Sequence, residues 1–162
     1  MPRAAAAVTC RTCSVSHATD KALRHGGAWR GVLIQGRSGA GKSDLALRLM
    51  QNGWRLVGDD WVEVFACEGA LYAGAPATIA GRMEVRGLGV VSRPFLPLTR
   101  IALSLHLTHE PVERMPEADQ DVIDGIAIAR LVLDPRPASA PLVVTAAMEL
   151  VAKRPLGRDD GA

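Results

Sequence analysis

Hydrophobic positions fall into short runs along the chain, separated by glycine, proline and charge. Runs of about four to eight apolar residues bounded by turn signals predict buried strands. Gly31-Val32-Leu33-Ile34 is one such run, and Ile101 to Thr108 is the strongest. Val8 to Ala18, rich in β-branched and small residues, predicts another strand, and Trp54 to Gly58 a short one. Trp61 to Cys67 and Ala70 to Ala73 predict a hairpin around Glu68-Gly69. Ser43 to Met50 differs, because Leu45, Leu49 and Met50 recur at helical spacing and Gly53 follows as a cap. Leu142 to Lys153 reads as a closing helix, while Ile126 to Leu133 fits a strand or a helix equally. Ala75 to Ala80 and Pro135 to Pro141 read as loops, and Met115 to Asp124 is polar and Pro-interrupted. The pattern predicts a strand-rich α/β domain with one clear strand-loop-helix unit near its front.

At 162 residues the chain has room for one domain, given about 100–200 residues per domain. We expect that domain over residues 1–152 and a charged, frayed tail over 153–162. Hydrophobic residues make up 48% and charged residues 22%, enough apolar surface to exclude disorder as the main state. No apolar run approaches the roughly 18 residues of a membrane span. The short apolar stretch Ala4 to Val8 meets Cys10-Arg11 too soon for a signal peptide, so a cytoplasmic location is expected. Net charge is +2, from 19 basic and 17 acidic residues, too balanced to argue for nucleic acid. Aromatics are only 4%, which leaves little for stacking on bases. Three cysteines are too few for a disulfide framework. Cys10 and Cys13 form a C-x-x-C pair, but Cys67 is distant and no second pair exists. Two reduced cysteines beside an N-terminal strand is the simpler reading than a redox pair or half a zinc site.

Gly36-Arg37-Ser38-Gly39-Ala40-Gly41-Lys42-Ser43 matches G-x-x-x-x-G-K-[ST] in full. Glycines let backbone N–H groups turn inward around phosphate oxygens, and the following helix adds its positive end. The lysine of such a loop reaches the β- and γ-phosphates, and its serine hydroxyl binds Mg²⁺. The motif needs a strand before it and a helix after it, and both are predicted here. A nucleoside triphosphate or similar polyphosphate is the expected ligand.

Asp59-Asp60 ends the next short strand. Alternation along a strand lets one aspartate face the phosphates while the other is held from behind, unless the strand has already turned. Beside a phosphate loop a carboxylate orients Mg²⁺ and its waters or accepts a proton from a hydroxyl; the alternative is a surface Asp-Asp turn. Glu84-Val85-Arg86-Gly87-Leu88-Gly89 is the next dense cluster. As an extended segment it puts Glu84 and Arg86 on one face, for Mg²⁺ and phosphate respectively; the alternative is a salt-bridged edge strand with a turn. His17 precedes a glycine-containing hairpin and lies near the loop if that hairpin is antiparallel; otherwise it is a structural histidine. His106 and His109 fall on opposite faces of a strand, which argues against a shared metal.

The phosphate loop, Leu56-Val57-Gly58-Asp59-Asp60 and Glu84-Val85-Arg86-Gly87-Leu88-Gly89, in this order, resemble the catalytic domain of HPr kinase/phosphorylase. The resemblance runs from about His17 to Met148, and the second motif is its specific part. It is nearest to the short alphaproteobacterial form, which lacks the N-terminal domain of the longer enzymes. The resemblance implies a P-loop fold similar to that of phosphoenolpyruvate carboxykinase. It implies an ATP- and Mg²⁺-dependent kinase that phosphorylates a serine of an HPr-type phosphocarrier protein of the phosphotransferase system. The long forms also remove that phosphate, and they are hexamers, so a homo-oligomer is an expectation. Lys42 falls on the family's phosphate-binding lysine, Ser43 and Glu84 on its Mg²⁺ ligands, and Asp60 on its proton acceptor. His17 falls on the active-site histidine if the hairpin after it is lengthened, and Arg114 matches the active-site arginine. Asp59 and Arg86 join Gly36 to Ser43 as nucleotide-binding residues.

Asp44 stands where the long enzymes usually carry Glu. The Pro-Gly-Arg-Asn stretch tied to dephosphorylation is replaced by Asp134-Pro135-Arg136-Pro137. Two rival functions remain at this point. One is a small-molecule P-loop kinase, although no arginine-rich lid is visible. The other is a non-catalytic nucleotide-sensing module, against which Ser43, Asp60 and Glu84 argue.

Overall fold

The computed structural model describes residues 13–17 and 29–153. In chain order these form β1 (Cys13–His17), β2 (Arg30–Gln35), α1 (Lys42–Gln51), β3 (Arg55–Gly58), β4 (Glu63–Cys67) and β5 (Ala70–Gly74). Then follow β6 (Arg82–Val85), β7 (Gly89–Ser92), β8 (Thr99–Leu107), β9 (Asp119–Ile123), β10 (Ile126–Leu133) and α2 (Ala140–Lys153). Cys10 and the tail beyond Lys153 lie outside the described residues.

Among the described residues, eight strands share one sheet with the path β3-β1-β2-β8-β10-β9. The β4–β5 hairpin joins it through β5, which runs antiparallel to the first residues of β8. β6 and β7 form a separate hairpin. The centre is parallel: β2 pairs β8, and β8 pairs β10. β2 and β8 are buried on both faces, which is why they read as continuous apolar runs. Val32 and Ile34 of β2 pack with Leu103, Leu105 and Leu107 of β8 under Leu45 and Leu49 of α1 and Val144 of α2. Leu33, pointing the other way, joins Ile101, Ile128, Leu71 and Ala73 in a second core.

The predicted α/β class, hairpin and both helices are present. The ambiguous segment from Ile126 is a strand, fixed by pairing on both edges. Part of the polar, Pro-interrupted stretch Met115 to Asp124, for which the pattern predicted no element, is β9. Among the described residues β9 ends the sheet's path and pairs only β10, and Asp119 and Gln120 are exposed. An edge strand of this kind carries polar residues and lacks the apolar run that marks its neighbours.

Candidate active site

The site is built where the parallel strands end. β2 stops at Gln35 and the loop Gly36 to Gly41 leads into α1. Gly41 caps the helix with φ of 95°, in the left-handed region that L side chains avoid. Gly36 serves a different need: a Cβ there would stand 3.1 Å from Ala40 Cβ and 3.2 Å from Leu107 Cβ. The loop is therefore pressed against the end of β8.

Lys42 opens α1 and is buried. Its Nζ donates to the carbonyls of Gly36 at 2.9 Å and Arg37 at 3.0 Å. An ammonium has three hydrogens, so one remains for a phosphate oxygen. Ser43 Oγ donates to Asp59 Oδ1 at 2.8 Å, and Asp59 Oδ2 accepts the Glu84 backbone N–H at 3.1 Å. Asp59 is thus buried and bonded on both oxygens, tying α1 to β6. β3 ends at Gly58, so Asp59 and Asp60 occupy a bend, not a strand. Asp60 has φ of 33° and is exposed. One aspartate is held from behind while its neighbour faces outward, and the bend separates them.

A cleft of about 470 Å³ opens over the loop, lined by Gly41, Lys42, Ser43, Asp60, Glu84 and Arg86 among others. Ser38 and Gly39 also line it, whereas Arg37 is exposed and Ala40 is buried beneath. The shared extended face expected for Glu84 and Arg86 is corrected: β6 ends at Val85 and Arg86 begins a turn. Gly87 and Gly89, with φ of 83° and 102°, shape that turn, and the side chains of Glu84 and Arg86 both line the cleft.

Two predicted residues are not brought there. β1 and β2 are antiparallel, as the hairpin reading requires, but the register pairs His17 with Arg30. That is the start of β2, whereas the loop leaves from its end. The placement of His17 near the loop is therefore corrected. Arg114 lies on the exposed segment after β8 and is not among the residues lining the cleft. His106 belongs to β8 and His109 lies beyond it, and among the described residues no His, Cys, Asp and Glu cluster forms a metal site.

Mg²⁺ carried by a nucleotide keeps several waters and takes one or two protein oxygens. Ser43 fits this demand, since its hydrogen goes to Asp59 and its lone pairs stay available. Glu84 lines the same cleft.

Sequence reasoning missed how the segment after β10 is fastened. Arg48 of α1 donates to the carbonyls of Pro135 at 2.5 Å and Pro137 at 3.2 Å. Arg136 grips Asp134 and donates to the His109 carbonyl at 3.0 Å. The arginine hydrogen bonds hold the Asp134 carboxyl down at about 2. No motif marks these contacts, because Arg48 and Pro135 are far apart in the sequence.

A phosphate loop between a parallel strand and a helix, with carboxylates facing it across one cleft, defines a P-loop nucleotide-binding domain. The family model for the HPr Serine kinase C-terminal domain matches residues 28–154, and the chain belongs to that family. It is 37% identical over 140 residues to the HPr kinase/phosphorylase of Geobacillus thermodenitrificans, covering 76% of this chain and 45% of that protein. It is 34% identical over 120 residues to the HPr kinase/phosphorylase of Clostridium tetani, covering 66% of this chain and 39% of that protein. The chain thus spans less than half the length of these relatives. A solved structure, the Hpr(Ser) kinase/phosphatase from Coxiella burnetii, shares the fold with a TM-score of 0.69 at 22% identity. That match covers 87% of this chain and 93% of the other.

Proposed function

We propose that this domain is a cytoplasmic serine protein kinase that transfers the γ-phosphoryl group of ATP to an HPr-type phosphocarrier protein. The observation that carries the reading is the convergence of Lys42, Ser43, Asp60 and Glu84 on one cleft. Family membership supplies the substrate class, since the relatives are named for HPr.

In this reading Lys42 and the loop amides hold the β- and γ-phosphates. Ser43 and Glu84 would hold Mg²⁺, which supplies charge neutralisation on the phosphates. Asp59 keeps the Ser43 hydroxyl aimed. Asp60, exposed at the cleft, accepts the proton of the substrate serine as its oxygen bonds to the γ-phosphorus and the bond to the β-phosphate oxygen breaks. Arg86 offsets charge on the transferring group. Positioning and electrostatics carry most of the rate in phosphoryl transfer.

The reverse reaction finds less support. Arg136, the one arginine in the Asp134 to Pro137 stretch, is engaged by Asp134 and the His109 carbonyl. The test is to incubate the protein with Mg-ATP and an HPr-type carrier and read the carrier's intact mass. One added phosphoryl group on a serine supports the proposal; an unmodified carrier beside ATP-bound protein favours the nucleotide-sensing alternative.

A further inference from the structure

Four polar side chains meet beside the root of the phosphate loop, outside the cleft just described. Gln35 is the last residue of β2, Ser104 and His106 lie on β8, and Asp121 stands on β9. Ser104 is fully buried, and the side chain of Asp121 is 18% exposed. Gln35 Nε2 donates to Ser104 Oγ at 2.7 Å. Ser104 has a single hydrogen, which goes to Asp121 Oδ2. His106 Nε2 stands 2.5 Å from the same oxygen, so that nitrogen carries a hydrogen and donates it. Arg130 of β10 adds its guanidinium 3.8 Å from Asp121 Oδ1. One carboxylate thus ends every donor path in the cluster.

A serine, a histidine and an aspartate invite comparison with a nucleophilic triad, but the order is wrong. In a triad the histidine separates serine from aspartate, whereas here Asp121 receives hydrogens from both. Ser104 is also inaccessible. Burial alone would raise the Asp121 carboxyl, but hydrogen bonds from Ser104 and His106 and the charges of His106 and Arg130 outweigh it. The group is held below the ordinary carboxylate value, and it stays an acceptor at neutral pH.

The position of this cluster gives it a role. Gln35 pairs in register with His106, and the next residue, Gly36, packs against Leu107. The Gly36 carbonyl in turn receives Lys42 Nζ. We propose that Asp121 is a positioning residue for the phosphate loop, acting through Ser104 on Gln35 and through His106 on the end of β8. The proposal rests on the nucleotide-binding reading of that loop.

The test is the affinity of the full chain for a non-hydrolysable ATP analogue with Mg²⁺, in Asp121→Asn, Gln35→Ala and the double variant. An amide at position 121 removes the negative charge that both donors share at Oδ2 and sets an NH₂ donor where Oδ1 faces Arg130. Each single variant is expected to weaken binding about three- to tenfold, inside the roughly two- to thirtyfold range for residues that act on a site without touching its ligand. The double variant should be no weaker than the poorer single one, because both act through Ser104. Asp119→Asn removes an exposed carboxylate that also pairs Arg130 but touches neither Ser104 nor His106; it should bind like wild type. A lower melting temperature with unchanged affinity would make the cluster merely structural and overturn the proposal, as would additive losses. If the wild type bound no analogue, the nucleotide reading would fail by itself. Amide hydrogen exchange of Gly36 to Gly41 in the free protein then decides: faster exchange in Asp121→Asn supports positioning, and unchanged exchange contradicts it.

Discussion

Ser43 Oγ donates to Asp59 Oδ1 at 2.8 Å, while the other oxygen of that carboxylate receives the Glu84 backbone N–H at 3.1 Å. One buried carboxylate therefore sets two residues assigned to the cation. Asp59→Ala leaves both donors without their acceptor, at a cost of about 1–3 kcal/mol for a buried unsatisfied group. We expect a lower melting temperature and a weaker response of nucleotide binding to Mg²⁺. Calorimetric titration with and without the cation checks this; an unchanged Mg²⁺ response would remove Asp59 from the site's organisation.

Lys42 has two of its three hydrogens on loop carbonyls, so its charge is already aimed into the cleft. Lys42→Ala should reduce affinity for an ATP analogue by about ten- to hundredfold, matching about 1.5–3 kcal/mol for a hydrogen bond to a charged group. A fluorescent analogue titration reads it directly. Wild-type affinity in the folded variant would show that the loop amides suffice.

Gly41 caps α1 at φ of 95° with Pro135 nearby, where an added Cβ would stand 3.4 Å from the proline Cγ. The space is adequate, so the penalty of Gly41→Ala is conformational, about 1–2 kcal/mol. A fall in melting temperature of about 2–8 °C is expected for a domain of this size. No change would mean that the cap relaxes to another conformation.

Asp134 is held down at about 2 by Arg136, against 3.8 ordinarily. A depressed carboxyl stabilises the fold above its unfolded value, and that contribution is lost as pH falls through the folded one. The pair is exposed, so the effect is small. Asp134→Asn should be slightly less stable than wild type at neutral pH, and the two melting curves should converge as pH drops from about 4 to about 2. A gap that persists to the lowest pH would assign the difference to something other than ionisation.

The phosphate loop was legible because its chemistry is local: strand, glycines, lysine and helix follow one another in the chain. The buried strands around it were legible because both faces are covered, which leaves apolar runs such as Val32 to Ile34. β9 was not, since an edge strand with Asp119 and Gln120 in solvent carries no such run. Long-range geometry was also hidden. The antiparallel sense of β1 and β2 was only a condition in the sequence reading, and no local signal gave the register that sets His17 opposite Arg30. At Asp59-Asp60 the strand had already turned, the exception that the alternation reading allowed, and the turn at Arg86 broke the face expected for Glu84 and Arg86, yet Asp60, Glu84 and Arg86 all line the cleft. Contacts such as Ser104 with Asp121 join residues whose partnership only the folded sheet creates.

Asp60 stands exposed on the cleft at a backbone conformation that L residues seldom adopt, and its role as proton acceptor is the centre of the account. Asp60→Asn keeps the shape and removes the base, so transfer should fall by about 10²–10⁴-fold while affinity for an ATP analogue stays near wild type. The decisive measurement is transfer of γ-labelled phosphate from Mg-ATP to an HPr-type carrier, wild type beside Asp60→Asn, with the product's acid stability identifying the linkage. Acid-stable phosphoserine formed by the wild type and nearly absent with the variant is the predicted result. Equal transfer by both proteins, or tight ATP binding with no transfer by either, would contradict it.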